Sequence, residues 1–103
     1  MVINLSAQAK KDLKNIHSFI KKDSSYSAVL VTDTILEKIS ILKKYPEIGR
    51  VVLRKNQIVL RQILVYKFRI IYLVREDSIE IVTIHHSAKL LDNNPGLTQY
   101  FDE

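Results

Sequence analysis

The sequence predicts an α+β fold in the order β-α-α-β-β-β, an antiparallel twisted sheet packed against an α-helical hairpin. Three observations predict it. Two stretches in the first half repeat apolar residues at spacings of three and four, the mark of one buried helical stripe. The second half changes to runs rich in β-branched residues. The separators between those runs, Tyr66-Lys67 and Glu76-Asp77-Ser78, are too short for anything but antiparallel neighbours. At 103 residues the chain has the length of one domain, so 1–103 reads as a single unit with 92–103 as a C-terminal tail.

Val2–Leu5 alternates as a first strand does. Ser6 follows at an N-cap position, where its hydroxyl accepts from the orphan amides of the next turn. From Ala7 to about Lys22 the stripe Ala9, Leu13, Ile16 and Ile20 defines the first helix, with lysines mostly elsewhere on it. Ser24, Ser25 or Ser27 caps a second helix, whose stripe is Ala28, Val31, Ile35, Ile39 and Leu42. It runs to about Tyr45, where Pro46 pushes the preceding residue out of the helical region. Ile58–Val65, Phe68–Arg75 and Ile79–His85 are strands, and Val51–Leu53 either adds a short one or leads into the first run. Phe68–Val74 is apolar on both faces, as a central strand covered twice should be. The hairpin covers one face, and the tail or a partner covers the other. Asn93-Asn94-Pro95-Gly96 marks a turn before a short helix or strand at Leu97–Phe101.

Composition removes many functions. Hydrophobic residues make up 47% of the chain, enough for a core, and the absence of cysteine excludes disulfides and thiolate metal sites. No apolar run approaches the roughly 18 residues of a spanning helix. The start, Met-Val-Ile-Asn-Leu-Ser, lacks the basic and apolar regions of a signal peptide, which predicts a cytoplasmic protein without membrane partners. The net charge of +5 and pI near 9.5 point either to an anionic partner or to no more than a lysine-rich soluble surface, and composition does not choose between them.

Motifs remove more. No nucleophile elbow or phosphate-cradling glycine loop is present, and no cofactor is implied. His85 and His86 are adjacent in a strand and face opposite ways, and the only other histidine is His17, so no metal site is expected. At most one of the pair belongs to a functional surface, and the other is packed or caps the strand end. What remains is cationic. Arg50, Arg54 and Lys55 lie in the segment leading to the sheet, and Arg61 and Arg69 lie inside apolar strands. A guanidinium there must meet a carboxylate, such as Glu80 or Asp77, or an anion from a partner. With His86, Glu47, Lys55 and Tyr66 or Tyr72 as proton-transfer groups, such a cluster suits metal-free phosphodiester chemistry on RNA.

The segments Ala9–Ile16, Ala28, Ile39 and Leu42, Tyr45-Pro46-Glu47-Ile48-Gly49-Arg50, Arg61-Gln62-Ile63, Lys67–Val74 and Ile79–His86 together resemble the RelE/ParE toxin superfamily, over about Leu5 to Leu91. The resemblance implies a toxin of a type II toxin–antitoxin system, held as a hetero-oligomer with a cognate antitoxin whose acidic or amphipathic segment wraps and silences it. It implies one of two targets. RelE-like members cut mRNA on the ribosome, and in that branch Arg69 and His86, with Arg61 and Glu47, would be catalytic. ParE-like members inhibit DNA gyrase and are not enzymes, and the long helical hairpin and the Pro-x-x-Gly-Arg segment favour that branch. Arg50, Arg54, Lys55 and Tyr72 are the expected binding residues in either case. A non-toxic interaction module, or a nucleic-acid binder acting through its lysines, is the competing reading.

Overall fold

A computed structural model describes residues 1–88 and 91–101, apart from the side chains of residues 92 and 101. The chain runs β1 (Val2–Leu5), α1 (Ala7–Lys21), α2 (Ser25–Ile41), β2 (Arg50–Lys55), β3 (Ile58–Val65), β4 (Phe68–Val74), β5 (Ser78–His86), a 3-10 turn at Leu91–Asn93 and α3 (Thr98–Phe101). The optional strand after the hairpin therefore exists, as β2, and it absorbs Arg50, Arg54 and Lys55. The five strands lie in the order β1-β5-β4-β3-β2. Neighbours from β2 to β5 are antiparallel, whereas β1 joins β5 in parallel, with Val2 opposite Ser78 and Leu5 opposite Ile81.

Both caps follow from serine chemistry. Ser6 Oγ accepts from Ala9 N–H at 3.0 Å and Ser24 Oγ from Ser27 N–H at 3.1 Å, each satisfying one orphan amide. The second helix ends at Ile41, earlier than the approach to Pro46 suggested. Its amides tighten first into i to i−3 bonds, Leu42 to Ile39 at 3.0 Å and Lys43 to Ser40 at 3.2 Å. That tightening turns the chain toward the sheet before the proline is reached.

As the middle strand, β4 is covered on both faces. On one side Ile70, Tyr72, Ile79, Ile81 and Ile84 pack under Ala9, Ile35, Ile39 and Leu42 of the hairpin. On the other, Leu60, Ile71, Leu73 and Val82 pack under Leu97 and Tyr100 of the tail. The tail thus supplies the second covering, though its last two residues lie outside those described. A bulge in β5 between Ile81 and Thr83 makes Val82 the extra residue, so Val82 packs on the tail side and Ile84 on the hairpin side, while the Thr83 hydroxyl meets both Asp12 of α1 and Asn94.

Candidate functional site

Pairing of β3 with β4 sets Arg61 opposite Tyr72 on the hairpin side. There the two side chains clamp the loop between α2 and β2. Tyr72 is fully buried. Its hydroxyl donates to Pro46 O at 2.9 Å and accepts from Gly49 N–H at 2.9 Å. Arg61 Nη1 donates to Gly49 O at 2.9 Å and Glu47 O at 3.2 Å, and its Nη2 lies 3.6 Å from the Glu47 carboxylate. Gly49 is required sterically, since a Cβ there would stand 2.5 Å from the Tyr72 hydroxyl oxygen and 2.8 Å from Gln62 O. Burial pushes the Tyr72 phenol above its ordinary value of 10.0, against the opposing pull of the Gly49 N–H and Arg61. The phenol stays protonated at neutral pH and serves as a donor and an acceptor.

Arg61, Glu47 and Tyr72 are therefore brought together, but as the lock of a loop. The others are dispersed. Arg69 pairs across to His85 on the tail side, its Nη2 3.5 Å from Ser87 O. His86 pairs with Phe68 on the hairpin side, edge-on at 5.6 Å between ring centroids, and its Nδ1 accepts from Ala88 N–H at 3.1 Å. Strand alternation thus sets Arg69 and His86 on opposite faces of the sheet. Arg50 and Arg54 are exposed and Lys55 is half-buried, all on the edge strand β2. The intramolecular carboxylates expected for the strand arginines are also different ones: Glu80 pairs with Arg75 at 2.8 Å, while Arg61 takes Glu47. The reason is topological, because β4 lies between β3 and β5.

A buried polar chain was not legible in the sequence. Asp12 of α1 accepts from the Thr83 hydroxyl, from Ile84 N–H at 2.9 Å and from Gln8 Nε2 at 2.7 Å. Asn94 donates from Nδ2 to Thr83 Oγ1 at 3.0 Å and to His85 Nδ1 at 2.7 Å, while its Oδ1 accepts from Gly96 N–H at 2.8 Å. The Gly96 amide fixes the orientation of Asn94 and so turns its Nδ2 toward His85 Nδ1. His85 is the packed member of the pair and ties the tail to the sheet. The spacing of Gln8 and Asp12 was the one available hint.

A groove of about 840 Å³ opens between α1, the first half of α2 and the turn joining β3 to β4. Ile16, Phe19, Ile20, Val31, Phe68 and Ile84 make it apolar, and Tyr66, Lys67 and His86 edge it. Phe19 is 72% exposed, with Lys22 Nζ 5.9 Å above its ring. Tyr66 takes φ 54°, left-handed backbone that an aromatic residue adopts only under constraint from the tight turn. Among the described residues no cluster of three metal-ligating side chains occurs, and no helix is long and apolar enough to cross a membrane.

Residues 3–91 match the family described as the ParE toxin of type II toxin–antitoxin systems, parDE. In fold, the chain is similar to a solved structure titled as a chromosomal ParDE toxin–antitoxin system from P. aeruginosa. The TM-score is 0.68 at 17% identity, over 84% of this chain and 95% of that one. No curated protein matches the chain in sequence.

Proposed function

This chain belongs to the ParE toxin family of type II toxin–antitoxin systems, and we propose that it arrests growth by inhibiting DNA gyrase in the cytoplasm until a cognate antitoxin silences it. The observation that favours gyrase over mRNA cleavage is the dispersal of the candidate catalytic groups. Cleavage of RNA needs a base, a leaving-group acid and cationic stabilisers around one phosphate. Arg69 and His86 lie on opposite faces, and Arg61 is engaged by Glu47 and two carbonyls. The antitoxin has a natural seat in the groove. An amphipathic helix would lay its apolar face on Phe19, Ile20 and Phe68 and its acidic flank against Lys22 and Lys67. The toxin–antitoxin hetero-oligomer would then bury this open apolar groove.

The experiment is a supercoiling assay with purified gyrase. The chain should inhibit it at stoichiometric concentration, and Arg69→Ala with His86→Ala should leave inhibition intact. Ribosome-dependent mRNA cuts that vanish in those two variants would overturn the gyrase reading and install the RelE-like one.

A further inference from the structure

Why should a fold fix one short loop so firmly? Under the proposed function the segment Tyr45–Arg50 has no chemistry of its own for Tyr72 and Arg61 to serve. What it carries is surface. Ile48 is 61% exposed and Tyr45 is exposed beside it. Exposed Lys43, Lys44 and Arg50 flank them, with Lys44 Nζ 5.8 Å over the Tyr45 ring. The loop's one carboxylate, Glu47, stands 3.6 Å from Arg61 and is itself 79% exposed, so Lys43, Lys44 and Arg50 outweigh it and the net outward charge is positive. A rigid loop loses little conformational freedom on association, which makes it a better contact than a mobile one of the same composition.

We propose that Tyr45, Ile48 and Arg50 form the surface with which this toxin grips its target protein, and that the target presents an apolar socket rimmed by carboxylates. The inference rests on the proposed function, and it places the target contact away from the groove proposed for the antitoxin. The loop follows the C-terminal end of α2, while the groove opens beside its first half. The 17 residues of that helix separate its ends by about 25 Å at 1.5 Å per residue. Apolar side chains supply the attachment, and the basic rim selects an acidic partner and speeds encounter. A second copy of this chain fits poorly, because it would bring the same positive rim against itself.

The test compares induced wild-type chain, Ile48→Asp and Leu64→Asp. Leu64 is 64% exposed on the opposite face of the sheet and controls for placing a carboxylate on the surface. Wild type and Leu64→Asp should cut colony-forming units alike, whereas Ile48→Asp should lose at least a hundredfold of that effect with an unchanged melting temperature. Arg50→Glu should lose roughly tenfold, and less at high salt, where screening weakens the rim. Full arrest by Ile48→Asp overturns the inference and leaves the proposed function standing. A wild-type chain that does not arrest growth overturns both. A wild-type dimer in light scattering that Ile48→Asp converts to monomer would assign the loop to self-association and overturn the target contact.

Discussion

The loop at the C-terminal end of α2 and the groove beside its start both expose apolar side chains among lysines and arginines. They are built in opposite ways. The loop is fixed by hydrogen bonds from two dedicated side chains, one fully buried and one mostly so. In the groove the comparable bonds are those Asp12 accepts from the Thr83 hydroxyl and Ile84 N–H, and they tie α1 to β5 without reaching the turn at its rim. Its walls are side chains standing at an edge, and its rim is the Tyr66-Lys67 turn, held in a backbone conformation that costs energy. A preformed surface suits a partner that must be recognised unchanged. An open apolar channel suits a segment that folds as it binds and covers a large area. The difference teaches that equal exposure does not mean equal purpose.

The largest predicted effect breaks the lock. In Gly49→Ala the new methyl meets the Tyr72 hydroxyl and the Gln62 backbone carbonyl, and the carbonyl cannot move without disturbing the β2–β3 ladder. Overpacking of this kind should cost about 3 kcal/mol, read as a lower urea midpoint at constant slope. Tyr72→Phe keeps the ring and removes only the hydroxyl. It leaves Gly49 N–H and Pro46 O without their partner and should cost about 2 kcal/mol. The pH dependence sharpens this. Burial raises the phenol above 10.0, so the folded state holds that proton more tightly than the unfolded chain. The stability tied to it is fully present below pH 10 and is lost as pH rises through the folded value. The gap between wild type and Tyr72→Phe should therefore narrow in alkaline urea titrations, and a constant gap would mean that the phenol is not the titrating group.

Much of the frame was legible because periodicity and capping are local. The stripes Ala9 to Ile20 and Ala28 to Leu42, the cap Ser6 and the limits of β3 come directly from residue types a few positions apart, while the second cap was narrowed only to three serines, of which Ser24 is the one used. The site was less legible because it depends on register. Whether Arg69 and His86 share a face is decided by one pairing, Phe68 with His86 and Arg69 with His85, and no local signal states it. Tyr72 illustrates the same limit. Its sequence position suggested a binding group, yet it sits across from Arg61 on the face that the hairpin seals. Asp12 carries no local sign of its role, since its partners Thr83 and Ile84 lie 71 and 72 residues away and are brought to it by the fold of β5.

A smaller effect tests the groove's rim. Tyr66→Gly removes the left-handed strain, worth about 1 kcal/mol, and adds unfolded-chain entropy of about the same size. Stability in the urea titration should move by less than about 1 kcal/mol. Any loss of antitoxin neutralisation in a growth-rescue assay then reports on the tyrosine ring and not on the turn. Rescue equal to wild type would detach Tyr66 from the groove and make its strained backbone a consequence of hairpin geometry alone.

The smallest predicted change in stability belongs to Phe19→Asp, and it separates the two regions most directly. The ring is largely in solvent, so little apolar burial is lost. The contact with Lys22 is worth about 0.5 kcal/mol at such an exposed site. A carboxylate three residues before the same lysine returns about 0.3 kcal/mol, less the unfavourable effect of negative charge near a helix C-terminus. The melting temperature should shift by no more than a degree or two. Antitoxin rescue of growth should nevertheless fail, because a carboxylate now stands where an apolar helix face must dock and repels its acidic flank. Rescue that persists would remove the groove as the antitoxin's seat, while leaving the locked loop and its proposed contact untouched.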